Sequence, residues 1–177
     1  KLCRQYEILL ICDEVATGFG RTGEYFSCMA ENVEPDLMAV AKGITGGYLP
    51  LAATLCSEEI YNAFLGGADK TFFHGHTYTG NPLACAVALA SLRLIDESDL
   101  LNTVRKRSTT LQEQLTQHIA PIANVGQIRQ LGLMVGIELV ADRASRKPFP
   151  PAERLGAEIC QRAREHGLLL RPLGDVI

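Results

Sequence analysis

An α/β architecture, a mostly parallel sheet followed by a smaller α+β unit, is what this sequence predicts, and three features predict it. Two short apolar runs, Ile8-Leu9-Leu10-Ile11-Cys12 and Leu37-Met38-Ala39-Val40-Ala41, are each bounded by turn residues. Runs of that kind read as strands buried on both faces, the usual state in a parallel sheet. The stretch between them, about two dozen residues, is long enough for the crossover that parallel neighbours need. From about Asp99 the composition changes, and polar-rich helical patterns alternate with a glycine-bearing strand pair. The boundary falls near Leu94, giving a sheet domain over 1–94 and a small domain over 95–177.

The elements follow in order. After the first strand come a glycine-rich turn, Gly18 to Gly23, and a short helical stretch around Tyr25 to Glu31, ended by Pro35. The second strand leads into Lys42, Gly43, Gly46 and Gly47, a sequence suited to a chain bending around a ligand. Leu51 to Leu55 reads as a strand. Ser57, with Glu58 and Glu59 behind it, starts a helix to about Leu65. Asn81 is a good N-cap and Pro82 suits the first helical position, so a long helix runs from there to about Asp96. Its apolar residues, Leu83, Val87, Leu89, Leu92 and Leu94, are spread widely enough for burial between layers.

In the second part, Leu101, Val104, Leu111 and Leu115 give the stretch from Leu100 to His118 a single apolar stripe. Ile128 to Val140 alternates and carries glycines at 132 and 136, as an antiparallel pair does. Pro148, Pro150 and Pro151 make a connection to an amphipathic helix, Ala152 to His166, closed by Gly167. Leu168 to Pro172 reads as a last short strand.

Composition narrows the function classes. The chain of 177 residues is 47% hydrophobic and 21% charged with a formal charge of -3, so it offers no strong basic field for nucleic acid or an anionic membrane. The longest apolar stretch, Pro82 to Leu92, is too short to span a bilayer. The cysteines, at 3, 12, 28, 56, 85 and 160, show no paired spacing. Cys12, Cys56 and Cys85 sit in apolar runs, as small buried hydrophobes do, which fits a reducing cytoplasm.

The chemistry concentrates on Asp13 and Lys42, each at the end of an apolar run. Parallel strands would bring both to the carboxyl edge of one sheet, where open α/β folds place their ligands. A buried Asp and a buried Lys at one edge suggest pyridoxal phosphate. An amine that forms a Schiff base with an aldehyde must be deprotonated, and apolar surroundings favour that form of Lys. An Asp facing the pyridine nitrogen keeps it protonated, so the ring can accept electrons. Taken singly, a strand-end Asp capping a turn and a Lys reaching solvent are the plainer readings.

The motifs remove that ambiguity. Leu10-Ile11-Cys12-Asp13-Glu14-Val15, Thr17 to Gly23, Pro35-Asp36-Leu37 and Ala41-Lys42-Gly43 resemble the signature of class III pyridoxal-phosphate aminotransferases, in order and spacing. Residues 44 to 64 and 72 to 92 look most like the members that aminate an oxononanoate ketone in biotin synthesis. The resemblance runs through nearly the whole chain and is weakest between Leu94 and Asn124. It implies a fold-type I transferase, of which this chain is a fragment lacking the front half with its phosphate loop and ring-stacking aromatic.

It also implies roles. Lys42 would hold the cofactor and move the proton, Asp13 would support the ring nitrogen, and Val15 would pack against a ring face. Thr77 and the backbone of His76 would contact the cofactor, Thr77 across a homodimer interface to the phosphate, with Gly75 beside substrate. Arg171 would hold the substrate carboxylate, for which a bidentate fork is suited. The small-molecule partners would be an amino donor, adenosylmethionine or lysine, and a keto acceptor. His74 and His76 lack a third ligand at metal-binding spacing, so no metal is expected. Arg21 reads as structural, and Glu14, pointing to the opposite side of the strand from Asp13, does not pair with it. Other readings stay open: a class III enzyme for an ω-amino acid, ornithine or a diamine; a cofactor-holding protein without turnover; or an inert fragment.

Overall fold

The computed structural model describes residues 1–177. The chain divides into two compact units, Lys1–Val104 and Arg105–Ile177. The division lies within a helix, further along than the boundary expected near Leu94. No helix is long and apolar enough to cross a membrane.

The first unit opens with a single helical turn, α1 (Leu2–Gln5), and carries three strands, β1 (Ile11–Asp13), β2 (Leu37–Val40) and β3 (Ala53–Cys56), in the order β1-β2-β3. β1 and β2 are parallel, with Asp13 opposite Ala39, and β3 runs antiparallel to β2. Asp36 fixes the entry to this register: its Oδ2 accepts the Leu10 amide at 2.6 Å, and Leu10 O accepts the amides of Asp36 and Leu37. Beyond Asp13 the ladder continues one step, with the Glu14 amide donating to Ala39 O at 2.9 Å.

The expectation that the first strand is buried on both faces is not met. Ile8, Leu9 and Ile11 are 59–65% exposed, and Asp13 is exposed as well. The reason is topological: β1 is an edge strand, paired on one side only, and the face carrying Ile11 and Asp13 has no cover from this chain. An apolar run reports that a strand is to be covered, without reporting by what.

Helix starts follow the capping residues. α2 (Glu58–Ala63) begins behind Ser57, whose Oγ accepts the Ile60 amide, and α3 (Pro82–Glu97) behind Asn81, whose Oδ1 accepts the Ala84 amide at 3.0 Å. α3 packs on the turn Lys42–Thr45. It buries Ala84, Ala88 and Ile95 and half-buries Val87 and Leu92, while Leu83, Leu89 and Leu94 stay exposed, so the expected burial of its large residues between layers is met only in part. Small residues at 84 and 88, four apart and so on one face, let the helix approach the turn closely. Cys56 and Cys85 are likewise exposed and Cys12 half-buried, where burial was expected; Cys160 is the buried one.

α4 (Leu100–Gln114) straddles the division between the units and continues as a π turn over Leu115–Ile119. Val104 and Leu115 are buried and Leu101 and Leu111 half-buried, which is the single stripe read from the sequence. In the second unit β4 (Val125–Leu131) and β5 (Met134–Leu139) form an antiparallel hairpin. Gly132, at φ 60°, takes the first central position of its two-residue turn, where a positive φ is required. α5 (Leu155–Glu165) completes the unit, whose core gathers Val125, Leu139, Val140 and Cys160.

Leu168 to Pro172 is not a strand. The chain leaves α5 with Leu168 N bonded to Ala163 O, and Leu169 is 83% exposed. β5 is instead lined by the residues after the next turn: Ile137 and Ile177 exchange both backbone bonds at 2.7 and 3.0 Å, and the Leu139 amide reaches Asp175 O. The apolar composition of 168–170 signals extended chain equally well whether or not a ladder partner lies beside it, and the register of β5 selects 175–177.

Candidate active site

Asp13 ends β1, and Lys42 follows β2 after Ala41, so the two residues sit at the carboxyl ends of adjacent parallel strands. The sheet therefore brings together the pair singled out in the sequence. Both are exposed, not buried. For Asp13 the cause is the uncovered face of β1; Lys42 stands at φ 48°, a left-handed backbone that turns the chain out of the strand and into a 3₁₀ turn. Lys42 makes no ion pair, and it lines an open cleft of about 1010 Å³ with Gly47, Tyr48, His76, Thr79 and Asn81.

Asp13 Oδ1 accepts the Val15 amide at 3.0 Å, which leaves Oδ2 without a protein partner. Val15 itself is half-buried. The next carboxylate, Glu14, is 3% exposed and does different work. Its Oε1 accepts the Cys28 amide at 2.8 Å and its Oε2 the Thr17 hydroxyl, while its backbone carbonyl accepts the Gly18 amide. Burial alone would raise its pKa; the hydrogen bonds from Thr17, Cys28 and Ser27 outweigh it and hold the carboxyl below its ordinary 4.5. The same closeness, with burial first and Glu14 second, pushes the Cys28 thiol up to about 11. Glu14 thus fastens the loop from 15 to 28 behind Asp13.

That loop in turn packs on the turn that bears Lys42. Phe19 lies over Gly43, where an added Cβ would stand 2.9 Å from Phe19 Cβ, and Phe26 meets Phe19 edge-on at 5.5 Å. Only a residue without a side chain fits there. Tyr25 ties the loop to α3 by donating to Asp96 Oδ1 at 2.7 Å; burial, then this acceptor, raises the phenol to about 12. Under the turn, Thr45 is 1% exposed and donates to Leu49 O at 2.6 Å. Glu14 and Phe19 were missed as site-building residues in the sequence. The alternation of faces along a strand, which puts Glu14 opposite to Asp13, was the available signal.

Gly75, His76 and Thr77 lie in a stretch in which every residue from 61 to 80 is exposed. His76 alone of the three lines the Lys42 cleft. Its amide donates to Thr79 Oγ1 at 3.1 Å and its carbonyl accepts the Thr79 amide at 3.0 Å, so both backbone groups of His76 are engaged within the turn. Thr77 has neither amide nor hydroxyl engaged by the chain. Arg171 is exposed in the second unit, on the extended segment after α5.

An α/β sheet with an unpaired lysine and an acceptor-ready aspartate at one edge has the chemistry to suit an aldehyde or an amine there. Residues 1–177 match the class-III aminotransferase family, and the chain belongs to it. It is 55% identical over its whole length to the adenosylmethionine-8-amino-7-oxononanoate aminotransferase of Anoxybacillus flavithermus and 53% identical to that of Geobacter sulfurreducens. The chain spans 39% of the length of each of these relatives. The crystal structure of the enzyme of that name from Methanocaldococcus jannaschii superposes with a TM-score of 0.94 at 42% identity, over 99% of this chain and 41% of that one. An amine transaminase from an uncultivated Pseudomonas species superposes equally well, with a TM-score of 0.94 at 42% identity.

Class-III aminotransferases work with pyridoxal phosphate. The donor set fits that group: an unpaired primary amine in Lys42, a carboxylate oxygen in Asp13 free to hold a ring nitrogen's proton, and an unengaged hydroxyl and amide in Thr77.

Proposed function

We propose that this chain is the lysine-bearing part of a pyridoxal-phosphate-dependent aminotransferase that transfers an amino group to 8-amino-7-oxononanoate, giving 7,8-diaminononanoate for biotin synthesis. The observation that carries it is the placement of Asp13 and Lys42 at the carboxyl ends of neighbouring parallel strands, with Lys42 opening on a cleft. The names of relatives matched over the whole chain support the substrate.

When bound, pyridoxal phosphate supplies an electron sink for the pair left when a substrate C–H bond is broken. Lys42 Nζ would hold the cofactor at its aldehyde group and, when free, would move the proton of the substrate's amine-bearing carbon. Asp13 Oδ2 would hold the proton of the pyridine nitrogen, and its Oδ1, which accepts the Val15 amide, fixes the carboxylate's orientation. Val15 would pack against the ring, Thr77 would bind the phosphate of the partner subunit's cofactor in a homodimer, Gly75 would lie beside substrate, and Arg171 would hold the substrate carboxylate. The enzyme works in the cytoplasm on a small-molecule amino donor and a keto acceptor.

In the complete enzyme, Lys42→Ala should abolish both transamination and the cofactor's lysine-linked absorbance; a variant with normal turnover would refute this role. A second reading, amine or ω-amino acid transamination, is favoured by the 41% identity to gamma aminobutyrate transaminase 2 of Solanum lycopersicum. Comparing amination of the oxononanoate with that of pyruvate separates the two.

A further inference from the structure

Phe19 stands where glycine would be at ease. Its φ is 62°, in the left-handed region that bulky side chains rarely enter, and Lys42, which precedes the glycine that Phe19 touches, is left-handed too at φ 48°. Strain of this kind persists only where the surroundings over-determine it, and it gathers at functional sites. Here those surroundings can be named. The Phe19 amide donates to Tyr25 O at 2.6 Å, and the Gly18 amide before it donates to Glu14 O at 2.9 Å. Phe26 braces the ring edge-on at 5.5 Å, and Phe19 bears on Gly43, where an added Cβ would stand 2.9 Å from Phe19 Cβ and 3.1 Å from its Cδ2.

Glycine would take the backbone of position 19 freely; what phenylalanine adds is the contact with Gly43, one residue from Lys42. Gly43 is held through its carbonyl as well, which accepts the Gly46 amide at 3.0 Å, closing the turn, and the Ser91 hydroxyl of α3 at 3.4 Å. Lys42 is exposed and has no ion pair to aim it, so the direction of its side chain follows from the backbone of this turn. We propose that Phe19 is a positioning residue of the amino transfer: braced by Phe26, it sets the backbone of the Lys42 turn and thereby the reach of Nζ toward the carbon whose proton it moves. The assignment rests on the aminotransferase reading and adds to it a residue that acts through Gly43. No bond to Phe19 forms or breaks; it supplies placement, on which proton transfer depends steeply.

Two substitutions in the complete enzyme separate placement of Lys42 from packing of the loop. Phe19→Gly removes the side chain while suiting the left-handed backbone, and Phe19→Leu keeps bulk against Gly43. Phe19→Gly should lower kcat by at least about tenfold with KM little changed, since a misplacement of about 1 Å can cost about a hundredfold. The primary deuterium isotope effect should rise above the wild-type value, because proton transfer becomes the slow step; it is measured with the donor that the wild type accepts, adenosylmethionine or lysine, deuterated at the carbon bearing the amine. Phe19→Leu should recover most of both. In the cofactor-free enzyme, Phe19→Gly should quicken hydrogen exchange at the Gly46 and Gly47 amides, which close the turn on Gly43 O and Lys42 O. A Gly variant with wild-type kcat and isotope effect, losses that Leu does not recover, or unchanged exchange in the turn would overturn the proposal. A Gly variant that failed to fold would overturn it equally, by showing that the loop itself needs the ring. A wild-type enzyme forming no lysine-linked absorbance with pyridoxal phosphate would instead overturn the aminotransferase reading, and the exchange measurement would still decide whether Phe19 holds the turn.

Discussion

Two stretches flank Lys42 in the sequence and are held in opposite ways. Upstream, residues 14 to 28 wrap around the buried Glu14 carboxylate and press Phe19 onto Gly43. Downstream, residues 61 to 80 are exposed throughout, and the hydrogen bonds around His76 stay within a few residues of it. The first stretch is built by this chain: the Glu14 carboxylate is satisfied by Thr17 and Cys28 and Phe19 packs with Phe26, although Thr22 Oγ1 is buried without a partner. The second presents Phe72, Phe73 and Tyr78 to solvent, 65–87% exposed, and carries the residues assigned to ligands. The difference teaches that the Asp13 and Lys42 side of the site is positioned by local packing, while the His76 and Thr77 side has its local turn and little else in this chain.

Substitutions can break or sharpen that contrast. The largest effect is expected at Glu14: Glu14→Ala leaves the Cys28 amide and Thr17 hydroxyl without their acceptor and should lower stability by about 3 kcal/mol in urea unfolding. The pH dependence has a definite sign. A carboxyl held below its ordinary 4.5 in the folded chain adds stability above that value and loses it as pH falls through the folded value. Glu14→Gln should therefore flatten the fall in urea midpoint as pH drops below the ordinary carboxyl value of 4.5. An unchanged slope would mean that the carboxylate is not the fastening point.

Gly43→Ala comes next. Its Cβ would meet Phe19 Cβ at 2.9 Å, an overpacking worth about 2 kcal/mol, and relief by Phe19→Ala in the double variant would locate the clash. Asn81→Ala removes the cap of α3 and should cost about 1 kcal/mol, measured as a lower thermal midpoint. At the small end, Phe73→Ser on the exposed stretch should change the stability of the isolated chain by less than about 0.5 kcal/mol. A larger loss there would show that the downstream stretch is held more firmly than its exposure suggests.

Much of this was legible in the sequence because it is local. Ser57 and Asn81-Pro82 cap the helices they were read to cap, since a cap depends on residues three positions away. The two strands and the residues at their ends were readable from short apolar runs. Burial was not, because it depends on neighbours distant in sequence: Ile8, Leu9 and Ile11 look like core and lie on an uncovered edge, and α3 buries Ala84 and Ala88 more deeply than its leucines. The choice of 175–177 over 168–172 beside β5 is likewise a matter of register, which composition does not carry. Glu14 was set aside as facing away from Asp13, correctly, but that orientation is what makes it structural.

The adjacency of Asp13 and Glu14 has a consequence for how this edge can vary. Successive strand residues look to opposite faces, so a two-letter acidic word supplies one carboxylate exposed at the sheet edge and another for anchorage, with no third residue between. Sliding β1 by a single position against β2 would swap their faces, sending the anchor into solvent and the exposed carboxylate into the loop. Insertions or deletions in the few residues before Asp13 should thus be far less tolerated than substitutions at the same places.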